Sequence, residues 1–161
     1  WLGPAKRAKY ALGIIPHWSE TAYFMEHYGH RYKIIDLRTK DVAKVVEEIT
    51  SCTCVLSTSL HGLIVAHAYA IPALWIKKGF IETDGFKFAD YFASVGIPEY
   101  QGLENIDDIL KDIVHWKAVF STHWDKSLIG KDLQQVQQAL LQVAPFPLAA
   151  RYSTLIQAKK D

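Results

Sequence analysis

The sequence predicts an α/β fold, a Rossmann-like parallel sheet flanked by helices. Three observations predict it. Four short apolar runs (residues 11–15, 33–37, 53–57 and 73–76) are rich in Ile, Val or Leu and do not alternate cleanly, as strands buried on both faces read. Their starts lie about 20 residues apart, and a helical pattern fills each gap. Strands alternating with helices form right-handed βαβ units.

The elements follow in order. After the first run, Ser19 is the expected N-cap of a helix through 22–28, stopped by Gly29. After the second run, Val42, Val45, Val46 and Ile49 fall at i, i+3, i+4 and i+7, with Asp41 or Thr39 as N-cap. The helix at 61–70 has almost no polar face (Leu63, Ile64, Val65, Ala66, Ala68, Ala70), which predicts a buried central helix with His67 in the core. Phe88, Phe92 and Val95 mark a helix closed by Gly96. Ile106, Ile109, Leu110 and Ile113 mark one opened by Asn105. Leu133, Val136, Leu140 and Val143 mark a long one ended by Pro145. The tail from Leu148 to Asp161 has weak helical spacing.

A chain of 161 residues suits one domain, expected over 1–161 with its core at about 8–145. Half of the residues are apolar, enough to bury a core. Net charge is +1 and the 18 basic residues are scattered. The runs Lys6-Arg7-Ala8-Lys9 and Lys159-Lys160 read as solvated ends, so no nucleic-acid partner is expected. Trp1 is not an initiating residue, and the chain reads as a fragment, a processed product or a trimmed chain.

Cys52 and Cys54 have no second pair to complete a zinc site, and a bridge across one residue would be strained. They read as small buried thiols in a reducing compartment. No signal peptide is visible and no apolar run approaches the ~18 residues of a membrane span, so a cytoplasmic location without a transmembrane segment is expected. No HExxH or His-x-Glu motif occurs. Neither a metal site nor a cofactor is expected, beyond room for a loosely held divalent ion.

In open parallel sheets, ligands sit beyond the C-terminal ends of the strands. The segments there are Pro16-His17-Trp18, Asp36 to Arg38, Thr58 to Gly62 and Lys77 to Gly79. The strongest signal is Ser57-Thr58-Ser59-Leu60-His61-Gly62, which joins a buried strand to an apolar helix. The first amides of a helix lack internal partners and carry partial positive charge. Gly62 is expected to let a ligand approach the backbone, and the hydroxyls and the imidazole add donors. Together they read as a phosphate or carboxylate site, or equally as a capped helix with Ser59 as cap. His17 is expected on the same sheet edge. Asp36 is a weak candidate for a ribose, because neither a GxGxxG nor a Walker loop occurs. The stretch from Gly79 to Tyr91 reads as a loop able to close over an anion, with Lys87 near a helix start, or as an ordinary connection capped by Asp84.

Several stretches together resemble the polysaccharide pyruvyl transferase family. They run from Ala11 to Trp18, Ile34 to Leu37, Ile49 to Cys52, Val55 to Ala73 and Gly85 to Tyr91. They cover roughly residues 3–96, and the Ser-Leu-His-Gly stretch with its trailing apolar helix is the most specific.

The resemblance implies the C-terminal, donor-binding lobe of a two-lobed enzyme with a fold like the B-type glycosyltransferases. The family's N-terminal half has no counterpart here. The implied activity moves pyruvate from phosphoenolpyruvate to a pair of sugar hydroxyls as a ketal, releasing phosphate. The implied acceptor is a glycan or lipid-linked sugar built at the membrane, which leaves room for peripheral membrane association. By the resemblance, His61 and Ser59 map onto the donor-phosphate motif, flanked by Ser57, Leu60 and Gly62. His17 and Lys87 map onto segments facing the same cleft. His61 and His17 are the expected catalytic residues. The alternatives are a nucleotide-sugar glycosyltransferase lobe and a non-catalytic anion-binding domain.

Overall fold

The computed structural model describes residues 8–79 and 85–145. The expectations for Lys6, Arg7, Asp84, the Lys159-Lys160 pair and the tail from Leu148 lie outside these residues. The chain divides into two compact units, with the boundary in sequence between Ile129 and Gly130. The sheet and both core clusters lie in the first.

Four parallel strands form the sheet: β1 (Tyr10–Ile15), β2 (Lys33–Ile34), β3 (Cys52–Ser57) and β4 (Ala73–Trp75). Their spatial order is β2-β1-β3-β4. Gly13 pairs with Lys33 on one side of β1 and with Val55 on the other, and Leu56 pairs with Leu74. All four apolar runs became strands. The second is shorter than expected, although Ile35 still donates its amide to Ile14 at 2.9 Å. Beyond β4 a single bridge joins Ile76 to Leu103.

Both sheet faces are covered. On one, Leu12, Ile14, Cys54, Leu56, Leu74 and Ile76 pack with Phe24, Tyr28, Ile106, Leu110, Trp116 and Phe120. On the other, Ile15, Val55, Ala73 and Trp75 pack with Ile49, Leu63, Ala66, Phe88 and Phe92. The helices of the first face are α1 (Thr21–Tyr28), α5 (Ile106–Ile109) and α6 (Ile113–Thr122). Those of the second are α2 (Val42–Thr50), α3 (Leu60–Ala68) and α4 (Phe86–Val95). Among the described residues the sheet is therefore doubly wound. Its order reverses between β1 and β3, where a crevice opens in such sheets.

Asp41 caps α2 by accepting the Lys44 amide at 3.0 Å, and Gly96 closes α4 at φ 73°, as the spacing predicted. Three expectations are corrected. The N-cap of α1 is Glu20, and Ser19 turns its hydroxyl to His17 instead. The helix opened by Asn105 stops at Ile109, because Asp112 caps a new one, accepting the amides of Val114 at 2.8 Å and His115 at 3.0 Å. Finally, α3 is not buried all round. One helical layer on a sheet buries only its inner side, so Leu63, Ala66 and His67 are buried while Ile64 is exposed. His67 is a core residue, bonded to Tyr91 Oη at 3.0 Å and the Ala73 carbonyl at 3.2 Å.

In the second unit, α7 (Leu133–Gln142) starts where the pattern placed it, with Asp132 accepting the Gln134 amide at 2.9 Å.

Candidate functional site

The strand ends at the β1/β3 reversal are stitched together by a short network. Thr58 donates its amide to the Ile15 carbonyl at 3.2 Å. Its hydroxyl accepts the His17 amide at 2.7 Å and donates to Glu20 Oε2 at 2.5 Å. The Glu20 amide donates to the His17 carbonyl at 2.9 Å, closing a turn from β1 into α1. His17 Nδ1 faces the Ser19 hydroxyl at 2.8 Å and the Ser19 amide at 3.5 Å. Both contacts are met when Nδ1 acts as the acceptor.

A cavity of about 880 Å³ opens over this network. Three helices begin at its wall, and Glu20, His61 and Lys87 line it from the starts of α1, α3 and α4. Lys77 and Lys78 approach from the end of β4. Of the expected site residues, His17, Ser59, Leu60, His61 and Lys87 line this cavity together. Trp75 forms part of the wall and stacks on Phe88, centroids 3.9 Å apart and planes 6° apart, which seats the start of α4 over β4.

The opening of α3 is not sealed. Ser59 sits at the N-cap without a side-chain cap bond. The first intrahelical bond is donated by Leu63 to the Ser59 carbonyl, so the amides of Leu60, His61 and Gly62 have no acceptor among the described residues. Unpaired amides at a helix start form an anion site.

Two expectations do not hold in the form stated. Ser57 is fully buried. Its hydroxyl lies 2.8 Å from the carbonyls of Ile15 and Ser59 and accepts the Ser59 amide at 3.0 Å, so it shapes the turn and does not line the cavity. Gly62 faces the strand. A Cβ there would lie 2.5 Å from Ser57 Oγ and 2.7 Å from Ile15 Cγ2, so its missing side chain serves close helix–strand packing and not ligand approach.

Sequence reasoning missed Glu20 and gave Lys77 and Lys78 no role. Glu20 followed no motif, and only the turn from β1 carries it to the cavity. Lys78 Nζ lies 4.5 Å from the Tyr23 ring centre and 3.7 Å from Asp107 Oδ2; its pKa is raised, first by the bond to Tyr23. Lys77 Nζ lies 5.1 Å from the Trp75 ring centre. Asp36 lines a separate cavity of about 380 Å³ and is gripped by Arg38 at 2.7–3.1 Å. That guanidinium holds its carboxyl below the usual range. Among the described residues no cluster of His, Cys, Asp or Glu has a metal-holding arrangement, and no helix is long and apolar enough to cross a membrane.

Fold and crevice thus define a doubly wound α/β protein with a cleft lined by imidazoles and lysines at its strand reversal. Residues 8–77 match the family model of the polysaccharide pyruvyl transferases, the same family that the sequence motifs resemble. The chain is also 34% identical over 98 residues to uncharacterized protein L143 of Acanthamoeba polyphaga mimivirus. That alignment covers 57% of this chain, which spans only 34% of the relative. No solved structure gives a significant match.

Proposed function

We propose that the chain is the donor-binding lobe of a polysaccharide pyruvyl transferase and that its cleft binds phosphoenolpyruvate. The observation that carries this reading is the unpaired start of α3, which opens with His61 into a cavity rimmed by lysines. Phosphoenolpyruvate carries a phosphate and a carboxylate. The α3 amides and His61 suit the phosphate, and Lys87 and the β4-end lysines suit the carboxylate.

In the proposed reaction a proton adds to the methylene carbon, and C2 becomes electrophilic. A sugar hydroxyl attacks C2, phosphate leaves with the C2–O electron pair, and a second hydroxyl closes the ketal. The α3 amides stabilise the departing phosphate as preorganised dipoles. His61 is assigned as phosphate ligand or proton donor, and His17 presents a second imidazole on the same wall. A two-lobed B-type arrangement, a glycan acceptor and a cytoplasmic location beside the membrane complete the reading. The family match and the free buried thiols support it.

Calorimetric titration of the wild-type chain and His61→Ala tests it. Phosphoenolpyruvate is expected to bind the wild type, with affinity falling about tenfold in the variant. Binding of UDP in preference to phosphoenolpyruvate would favour a nucleotide-sugar transferase lobe instead. No phosphoenolpyruvate binding at all would sink the reading.

A further inference from the structure

Glu20 is the cavity residue that the donor site leaves unused. The residue is 1% exposed, yet it lines the cavity. Oε2 is occupied by the Thr58 hydroxyl, whereas Oε1 has no hydrogen-bond partner among the described residues. A buried carboxyl oxygen left unpaired is costly, and such oxygens are rare in folded proteins. The network around it is otherwise complete. Thr58 takes the His17 amide and locks one end of the carboxyl, which leaves the other end buried and unpaired.

The chemistry of the surroundings identifies the missing group. Apart from Glu20, the ionisable residues that line the cavity among the described residues are His17, His61, Lys77, Lys78 and Lys87, all basic. They suit the oxygens of an anion. A carboxylate oxygen needs a donor, and an anionic donor substrate presents mainly acceptors. A neutral hydroxyl supplies the O–H. The N-cap position of Glu20 at α1 is also one where negative charge is favoured.

We infer that Glu20 Oε1 accepts a hydrogen bond from a hydroxyl of the second substrate, a polyhydroxylated sugar, and holds it beside the donor anion. This rests on the reading of the cavity as a pyruvyl-transfer site. Glu20 is then the residue that tells a hydroxylated acceptor from a second anion, because it repels the latter.

The test uses the whole chain as wild type, Glu20→Gln and Glu20→Asp. Each is titrated with phosphoenolpyruvate, then with the methyl β-glycosides of galactose, glucose and mannose in its presence and absence. Gln keeps an oxygen for Thr58, and Asp keeps the charge but withdraws it by one methylene, so either variant serves if the other fails to fold. The wild type is expected to bind at least one glycoside, and each variant to lose tenfold or more of that affinity. Phosphoenolpyruvate affinity should hold or rise in Glu20→Gln, since a negative charge leaves the cavity. Glycoside affinity unchanged in the folded variants would overturn the inference, as would a wild type that binds none of the three. A tenfold loss of phosphoenolpyruvate affinity in Glu20→Gln would also overturn it, by assigning the carboxyl to the anion. If phosphoenolpyruvate fails to bind but a glycoside binds through Glu20, the sugar subsite stands and the donor reading falls.

Discussion

Gly62 on α3 lies so close to Ile15 on β1 that one added methyl group would stand 2.7 Å from Ile15 Cγ2. That approach sets how near the unpaired start of α3 sits to the sheet. Gly62→Ala is expected to destabilise the fold by about 1–3 kcal/mol, as overpacking does. Urea unfolding measures it. A variant of unchanged stability that loses only anion affinity would return Gly62 to the ligand-approach role.

Thr58 holds Glu20 Oε2 and the His17 amide with one hydroxyl. Thr58→Val keeps the shape and removes both bonds. Two groups in a buried setting lose a partner, so a cost of about 1–3 kcal/mol is expected. Thermal unfolding checks it, and a change within about 0.5 kcal/mol, the range of ordinary surface substitutions, would show the network to be unimportant.

His67 is buried and its pKa is lowered, first by burial, against smaller opposing effects of the Ala73 and Ser127 carbonyls. The folded chain therefore holds fewer protons on this ring than the unfolded chain, whose value is near 6.5. Stability from this group is fully present above that value and declines as pH falls below it. Unfolding midpoints between pH 8 and pH 5, about the range over which histidine titrates, should slope less in His67→Gln than in the wild type. Equal slopes would assign the acid sensitivity elsewhere.

Cys52 and Cys54 are both buried, and burial pushes their thiols up to about 11 and about 12. Thiolates are the reactive species. The native chain is expected to react with Ellman's reagent at least about tenfold more slowly than the urea-unfolded chain. Fast labelling of the native chain would mean the strand start opens readily.

Phe88 stacks on Trp75 where α4 meets the cavity. Phe88→Ala is expected to cost about 3–5 kcal/mol, the usual range for a buried aromatic. The same variant should weaken phosphoenolpyruvate binding, because Lys87 rides on that helix start. Tryptophan fluorescence during titration reads both effects.

The strands were legible because a strand buried on both faces must be apolar throughout, and four such runs stand in the sequence. The His61 turn was legible because hydroxyls, an imidazole and a glycine between an apolar strand and an apolar helix are a local pattern. The break after Ile109 was not, because the apolar spacing runs on through Ile113 while Asp112 captures two amides and restarts the helix.

By itself, then, the sequence determined which segments form the strands and most of the helices and which of them end in polar turns, since both depend on neighbours a few positions apart. Only the tertiary structure decided that Ser57 and Gly62 face inward to packing while Glu20, with no motif around it, turns into the cleft. Those outcomes depend on Thr58 meeting Glu20 and Gly62 meeting Ile15 across 38 and 47 residues of chain, and contacts at that range are set by how the sheet is wound.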